Sequence, residues 1–231
     1  MWKVRVFTLY PEIFPGPMSI GLYKAALDKK IWSLEIINIR DYAKDKHKTV
    51  DDTPFGGGSG MVMRADVLAN SLDKNIPDKE KIIYLSPKGK KFDQSYAKKL
   101  STQNINIICG HFEGVDQRLL ETRNIEEISI GDFVLSGGET GALVLIDTIV
   151  RLIPDVLGNE SSLSEETFEN NLLEYPQYTK PQKWEKKEVP AVLLSGDHKK
   201  IKDWRLTKSE DITRARRTDL WKKYKEKNEK H

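Results

Sequence analysis

Four short glycine-bearing stretches carry the clearest chemical potential in this 231-residue chain. They are "FGGGSG" at 55–60, "LSPKG" at 85–89, "CGHFEG" at 109–114 and "SIGDFVLSGGETG" at 129–141. Glycine packs no side chain and loses the most conformational freedom on folding, so its repeated placement beside apolar runs needs a reason. Three of the stretches follow the apolar runs "KIIYLS", "INIIC" and "EEISI". They would leave the carboxyl ends of strands, where open parallel sheets bind ligands. Converging there, they would wall a cleft with backbone N–H and C=O groups. The dinucleotide pattern G-x-G-x-x-G and the phosphate loop G-x-x-x-x-G-K-[ST] are both absent. A neutral or cationic ligand carrying an adenine ring suits such a wall better than a phosphate. Tight turns alone would also account for the glycines, and the residues by themselves leave both readings open. No His, Cys or Asp set has metal-site spacing, so a metal site is not identified. The single cysteine, Cys109, ends an apolar run and reads as a small buried residue.

The elements that would position these loops alternate. "WKVRVFTLY" and "WSLEIINIR" read as strands, with "SIGLYKAALDKK" as an amphipathic helix between them. "KIIYLS" and "INIICG" read as short buried strands with the helical "DQSYAKKLSTQ" between them. "EEISIGDFVLS" reads as a further strand, followed by a helix over 139–153 that Pro154 ends. Strands alternating with helices predict an α/β fold, with a mainly parallel sheet and helices on both faces. From residue 157, "LGNESSLSEETFENN" is polar and aperiodic. The expected division is a first domain over 1–158, a linker over 159–171 and a small, mostly helical C-terminal domain over 172–231.

The 38% hydrophobic content is ordinary for a soluble protein, and 32% charged is high. No secretory signal is apparent, and no run approaches the roughly 20 apolar residues needed to span a bilayer. One cysteine fits a reduced, cytosolic setting. The net charge of +3 hides an asymmetry: residues 198–231 carry 13 Lys/Arg against 6 Asp/Glu, so the rest of the chain is net acidic. A basic end suggests a polyanion such as nucleic acid, although a solvated helical terminus would look the same.

Five long motifs decide more. "KTVDDTPFGGGSGMVMR", "YLSPKGKKFDQ", "CGHFEGVDQR", "EEISIGDFVLSGGETGALVLIDTIVRLIPDVLG" and "VPAVLLSGDHKKIKDWR" occur in this order. Together they closely resemble the TrmD family of bacterial tRNA (guanine-N1)-methyltransferases, over nearly the whole chain. The resemblance implies methyl transfer from S-adenosylmethionine to N1 of the guanosine at tRNA position 37. It implies a SPOUT-like sheet with a deep trefoil knot at the cofactor site, a homodimer with composite active sites, and a bacterial cytoplasmic location.

It also implies residues. The knot loops would bind the cofactor through Tyr84, Leu85, Ser86, Pro87, Gly89, Gly110 and Glu113. The third loop would add Ser129, Ile130, Gly131, Asp132, Phe133, Val134, Leu135, Gly137 and Gly138. "SEETF" aligns the family's aspartate base with Glu166, one methylene longer, with Glu165 as its neighbour. Arg151 matches the arginine that stabilises charge on O6, although Asp147 one turn earlier also makes an ordinary helix pair with it. Mg²⁺ is expected for activity, with Glu113 near it. Arg205, Arg214, Arg216 and Arg217 would contact tRNA phosphates, with Trp204 in the core or stacking, and residues 55–60 would wall the target-base pocket. The chain departs from the family's commoner residues at His111, Phe112, Gln117 and Gly141. Two alternatives stay open: a related methyltransferase acting on ribosomal RNA, and a non-catalytic RNA-binding relative.

Overall fold

The computed structural model describes residues 1–77, 79–157 and 167–229. The chain divides into two compact units, Met1–Gly158 and Asn159–His231. In the first unit, β1 (Trp2–Thr8), β2 (Trp32–Asn38), β5 (Lys81–Lys91), β6 (Ile105–Ile108) and β7 (Glu126–Ser129) form one sheet in the order β2-β1-β6-β5-β7. Every pairing in it is parallel. A second, antiparallel pair joins β3 (Asp51–Asp52) to β4 (Val62–Met63).

Period-two alternation sorts the strand side chains between two apolar layers. Val4, Val6, Ile105 and Ile107 pack on one face with α1 (Gly21–Asp28), α3 (Gln94–Leu100) and α5 (Gly138–Val150). Phe7 and Ile108 point the other way, toward α2 (Ala65–Asn75) and α4 (Gln117–Thr122). The two indoles on the first face complete hydrogen bonds as buried polar groups must: Trp2 Nε1 donates to Leu100 O and Trp32 Nε1 to Tyr23 O, both at 3.0 Å.

The expected strands and the helices α1, α3 and α5 are present, with two differences. β5 runs on to Lys91 but leaves its ladder with β7 after Leu85 and rejoins at Lys90, so the "SPKG" segment is an irregularity inside the strand. Conversely, β7 stops at Ser129 where a strand to 136 was expected. There the Ser129 hydroxyl accepts from Gly131 N (3.2 Å) and donates to Gly131 O (3.0 Å), a local turn that competes with extension. Gly131, at φ 155°, then turns the chain out. Helices α2 and α4 were not anticipated, because neither has the long apolar stripe that marks α5.

The second unit holds a two-residue-per-strand hairpin, β8 (Lys183–Trp184) with β9 (Lys187–Glu188), and the helices α6 (Ala191–Leu194), α7 (His198–Arg216) and α8 (Thr218–Asn228). Its core is small. Thr213 is fully buried, donating its hydroxyl to Ser209 O at 2.6 Å and accepting from Leu173 N at 2.8 Å.

One ionic cluster ties the amino ends of the central strands. Buried Arg5 donates Nε to Glu35 at 3.1 Å and Nη1 to Asn106 at 3.2 Å, and it also pairs with Glu80. Glu80 accepts further from Asn104 and Asn106, each at 3.2 Å. Burial raises the Glu80 carboxyl, but the bonds from Asn106 and Asn104 and the Arg5 charge outweigh it, holding it below its ordinary 4.5. A carboxyl lowered on folding stabilises above its unfolded pKa and loses that contribution as pH falls through the folded value. Glu80→Gln is therefore expected to lower Tm at neutral pH, with the gap to wild type closing below about pH 4. Thermal melts across pH check this; a gap that ignores pH would mean the cluster acts by packing alone.

Candidate active site: a glycine-walled cleft at the strand ends

The carboxyl ends of β5, β6 and β7 open into a cleft of about 330 Å³, within the range of small-molecule sites. All sixteen predicted cofactor residues except Gly89 and Asp132 line it. Gly89 instead lies against β7: a Cβ there would collide with the backbone of Glu127 and Ile128. Asp132 is exposed on the turn after β7.

The glycines are required by close approach. Gly138 opens α5, donating its N–H to Gly110 O at 2.9 Å. A Cβ on Gly138 would sit 2.6 Å from Cys109 Cα. A Cβ on Gly110 would sit 2.6 Å from the Tyr84 ring. Tyr84 is thereby clamped beneath the loop after β6, and burial, with the Glu127 charge, raises its hydroxyl. The thiol of Cys109 is fully buried and pushed well above the ordinary range by burial and by the negative charge of Glu139. An inert structural cysteine follows.

Lining residues not named individually from sequence include Lys88, His111, Phe112 and Glu127. Lys88, His111 and Phe112 stand inside the loop segments 84–89 and 110–113 expected to hold the cofactor, without being singled out there, and Glu127 lies just before the third. Phe112 has φ 59° and a half-exposed ring, a conformation that costs a bulky residue energy and therefore marks a constrained loop. Glu113 also lines the cleft, and its N–H donates to Met61 O at 2.9 Å. Gly60 lies directly against its carboxylate, so the 55–60 loop reaches the cleft there, while Phe55 stays fully exposed.

Two carboxylates, Glu113 and Glu127, share the cleft with one lysine, Lys88. Backbone walls, apolar Leu85, Ile130 and Leu135, and an acidic balance fit S-adenosylmethionine, which presents an adenine ring, a sulfonium and an ammonium. Among the described residues no three His, Cys, Asp or Glu gather as metal ligands. They do not fit a protein-built Mg²⁺ site, and no step below runs through a metal.

Arg151 is not brought to this cleft. It caps the C-terminus of the 13-residue α5, whose other end is Gly138. At about 1.5 Å per residue the two ends lie roughly 20 Å apart. Burial raises the Asp147 carboxyl above its ordinary value, with the Arg151 charge one turn on drawing against it. Glu165 and Glu166 lie outside the described residues.

In the second unit, three of the four predicted phosphate contacts are seated on rings. Arg205 lies 4.8 Å from the Tyr175 centroid, Arg214 6.0 Å from Trp221 and Arg217 5.9 Å from Phe168. Arg214 also pairs with Asp211 and Arg217 with Asp219, whose carboxyl the Arg217 bond draws down to about 2. Arg216 is exposed, and Trp204 packs 6.3 Å from Tyr178. No helix among the described residues is long and apolar enough to cross a membrane.

The backbone contact at Gly138 gives a direct test. In Gly138→Ala the overpacking, about 1–3 kcal/mol, falls on the cleft wall. S-adenosylmethionine affinity is expected to drop by about tenfold or more, read by titration calorimetry. Affinity equal to wild type would remove Gly138 from the wall.

Comparison with known proteins agrees with this geometry. The family described as tRNA (Guanine-1)-methyltransferase TrmD matches residues 2–223. A tRNA (guanine-N(1)-)-methyltransferase of Pelagibacter ubique is 67% identical over 226 residues, covering 97% of this chain and 99% of its own. Proteins of the same name are 54% identical in Bartonella tribocorum, over 99% of both chains, and 56% identical in Mesorhizobium japonicum, over 95% of this chain and 96% of that one. The chain belongs to the tRNA (guanine-1)-methyltransferase TrmD family.

Proposed function

We propose that the protein transfers the methyl group of S-adenosylmethionine to N1 of the guanosine at tRNA position 37, working as a homodimer in the bacterial cytoplasm. The observation that carries the reading is the glycine-walled, acid-lined cleft at the strand ends, in a chain of this family. The residues of that cleft are proposed to hold the donor, with the loops 84–89, 110–113 and 129–138 forming a trefoil knot around it. In this reading 1–158 is the methyltransferase domain, 159–171 the linker and 172–231 the tRNA-binding domain.

The donor supplies an activated methyl on a sulfonium. The chain must supply the rest. Guanine N1 carries a proton and is a weak nucleophile, so Glu166 is proposed to take that proton, an effect of about 10²–10⁴-fold for a well-placed base. Arg151 is proposed to stabilise charge developing at O6, and the cleft to hold the methyl in line. The 20 Å span of α5 supports a composite site, with Arg151 supplied across a dimer interface to the other subunit's cleft. Stacking pre-positions Arg205, Arg214 and Arg217, which with Arg216 are proposed to bind phosphates. A Mg²⁺ requirement is part of the reading, with its site unassigned. The names of the relatives favour tRNA over ribosomal RNA.

Labelled S-adenosylmethionine, Mg²⁺ and tRNA transcripts bearing guanosine or adenosine at position 37 test the reaction. Methylation of the guanosine transcript alone is expected; methylation of neither, with donor bound, would reject it. The composite site makes a separate prediction. Arg151→Ala and Gly138→Ala, each impaired alone when S-adenosylmethionine is kept below the Kd of Gly138→Ala, should recover activity when refolded together, because a mixed C₂ dimer contains one intact site. Mixed dimers that form and stay inactive would place both groups in a single chain's site.

A further inference from the structure

One buried titratable group is unused by this reaction. Glu139, in the first turn of α5, is 3% exposed. Burying a carboxylate is costly unless its oxygens are bonded. Here Thr8 Oγ1 donates to Oε1 at 2.6 Å, and His111 Nε2 lies 2.7 Å from Oε2. The amino end of α5 adds a favourable dipole. Thr8 Oγ1 in turn accepts from Tyr10 N at 2.9 Å, and His111 N–H reaches Met63 Sδ at 3.3 Å.

This chain of bonds joins four segments: the end of β1, strand β4, the loop after β6 and the start of α5. It lies directly behind the ligand wall. A Cβ on Gly137 would collide with the His111 ring and come within 2.8 Å of Glu139 Oε2. His111 itself lines the cleft, with its side chain 13% exposed and Nε2 committed to Glu139.

We infer that His111 and Glu139 are positioning residues for the methyl donor, their bond setting the spacing of the two glycine loops, 110–114 and 137–138, that face it. The inference rests on the S-adenosylmethionine site proposed above. Without the bond the loops keep their glycines but lose the strut between them, so donor affinity falls while tRNA binding in the second unit does not.

Calorimetric titration of the whole protein with S-adenosylmethionine, without tRNA, tests this. Glu139→Gln and His111→Phe are each expected to weaken donor binding by about ten- to a hundredfold, the range for a lost bond to a buried charged group. His111→Gln, whose amide can reach the Nε2 position, should recover most of the loss. tRNA affinity by filter binding should match wild type in all three. Donor affinity unchanged in Glu139→Gln and His111→Phe, whatever happens to Tm, would overturn the inference, as would equal losses in His111→Gln and His111→Phe. If Glu139→Gln does not fold, the two His111 variants decide. A wild type that binds the donor but methylates no tRNA would sink the proposed reaction and leave this comparison standing. A wild type that binds no donor overturns both.

Discussion

The first unit depends on one backbone contact: the amino end of α5 pressed against the exit of β6. Gly138 N–H bonds Gly110 O at 2.9 Å, and no side chain fits between Gly138 and Cys109. Because the contact is between main chains, it leaves backbone groups of both loops facing the same space. The cleft is what remains between them. The rigidity of the surrounding sheet, buried on both faces, is what allows two loops to be held this close.

The apolar core alone would not fix that contact. At the carboxyl end of the sheet the Thr8–Glu139–His111 bonds occupy the place where more apolar packing would stabilise equally well. At the amino end the Arg5–Glu80–Glu35 cluster plays a comparable part. Satisfied buried polar groups restrict geometry more sharply than apolar contacts, because each bond has a direction and a length. The second unit handles its many cations differently. It seats Arg205, Arg214 and Arg217 on aromatic faces, so these guanidiniums are held in place by their own fold.

Charge is divided in the same way. The cleft is lined by Glu113 and Glu127 against Lys88, and the cationic excess lies in the C-terminal helices. The two regions therefore present opposite balances of charge on one chain, which would favour a cation at the first and a polyanion at the second.

Much of this was legible in the residues. Short apolar runs alternating with amphipathic helices set the α/β class, because strands joined through helices pair in parallel and are buried on both faces. Glycines after those strands indicated where the backbone would wall a cleft, and the order of five motifs carried the family. What remained hidden depended on distance through space. Gly89 and Gly138 look alike in sequence, yet one is spent on a strand contact and the other on the cleft, because the β5 irregularity carries the first toward β7. Glu139 reads as an ordinary first-turn helix acidic residue; its burial follows from where β1 and β6 end. Arg151 is assigned by its match to the family's arginine, and the length of α5 carries it about 20 Å from Gly138 in its own chain's cleft. The sequence by itself determined which residue types, strands and glycines were available to build the site. Tertiary structure decided which of them meet, because contacts between segments a hundred residues apart are set by register and packing and leave no local periodicity to read.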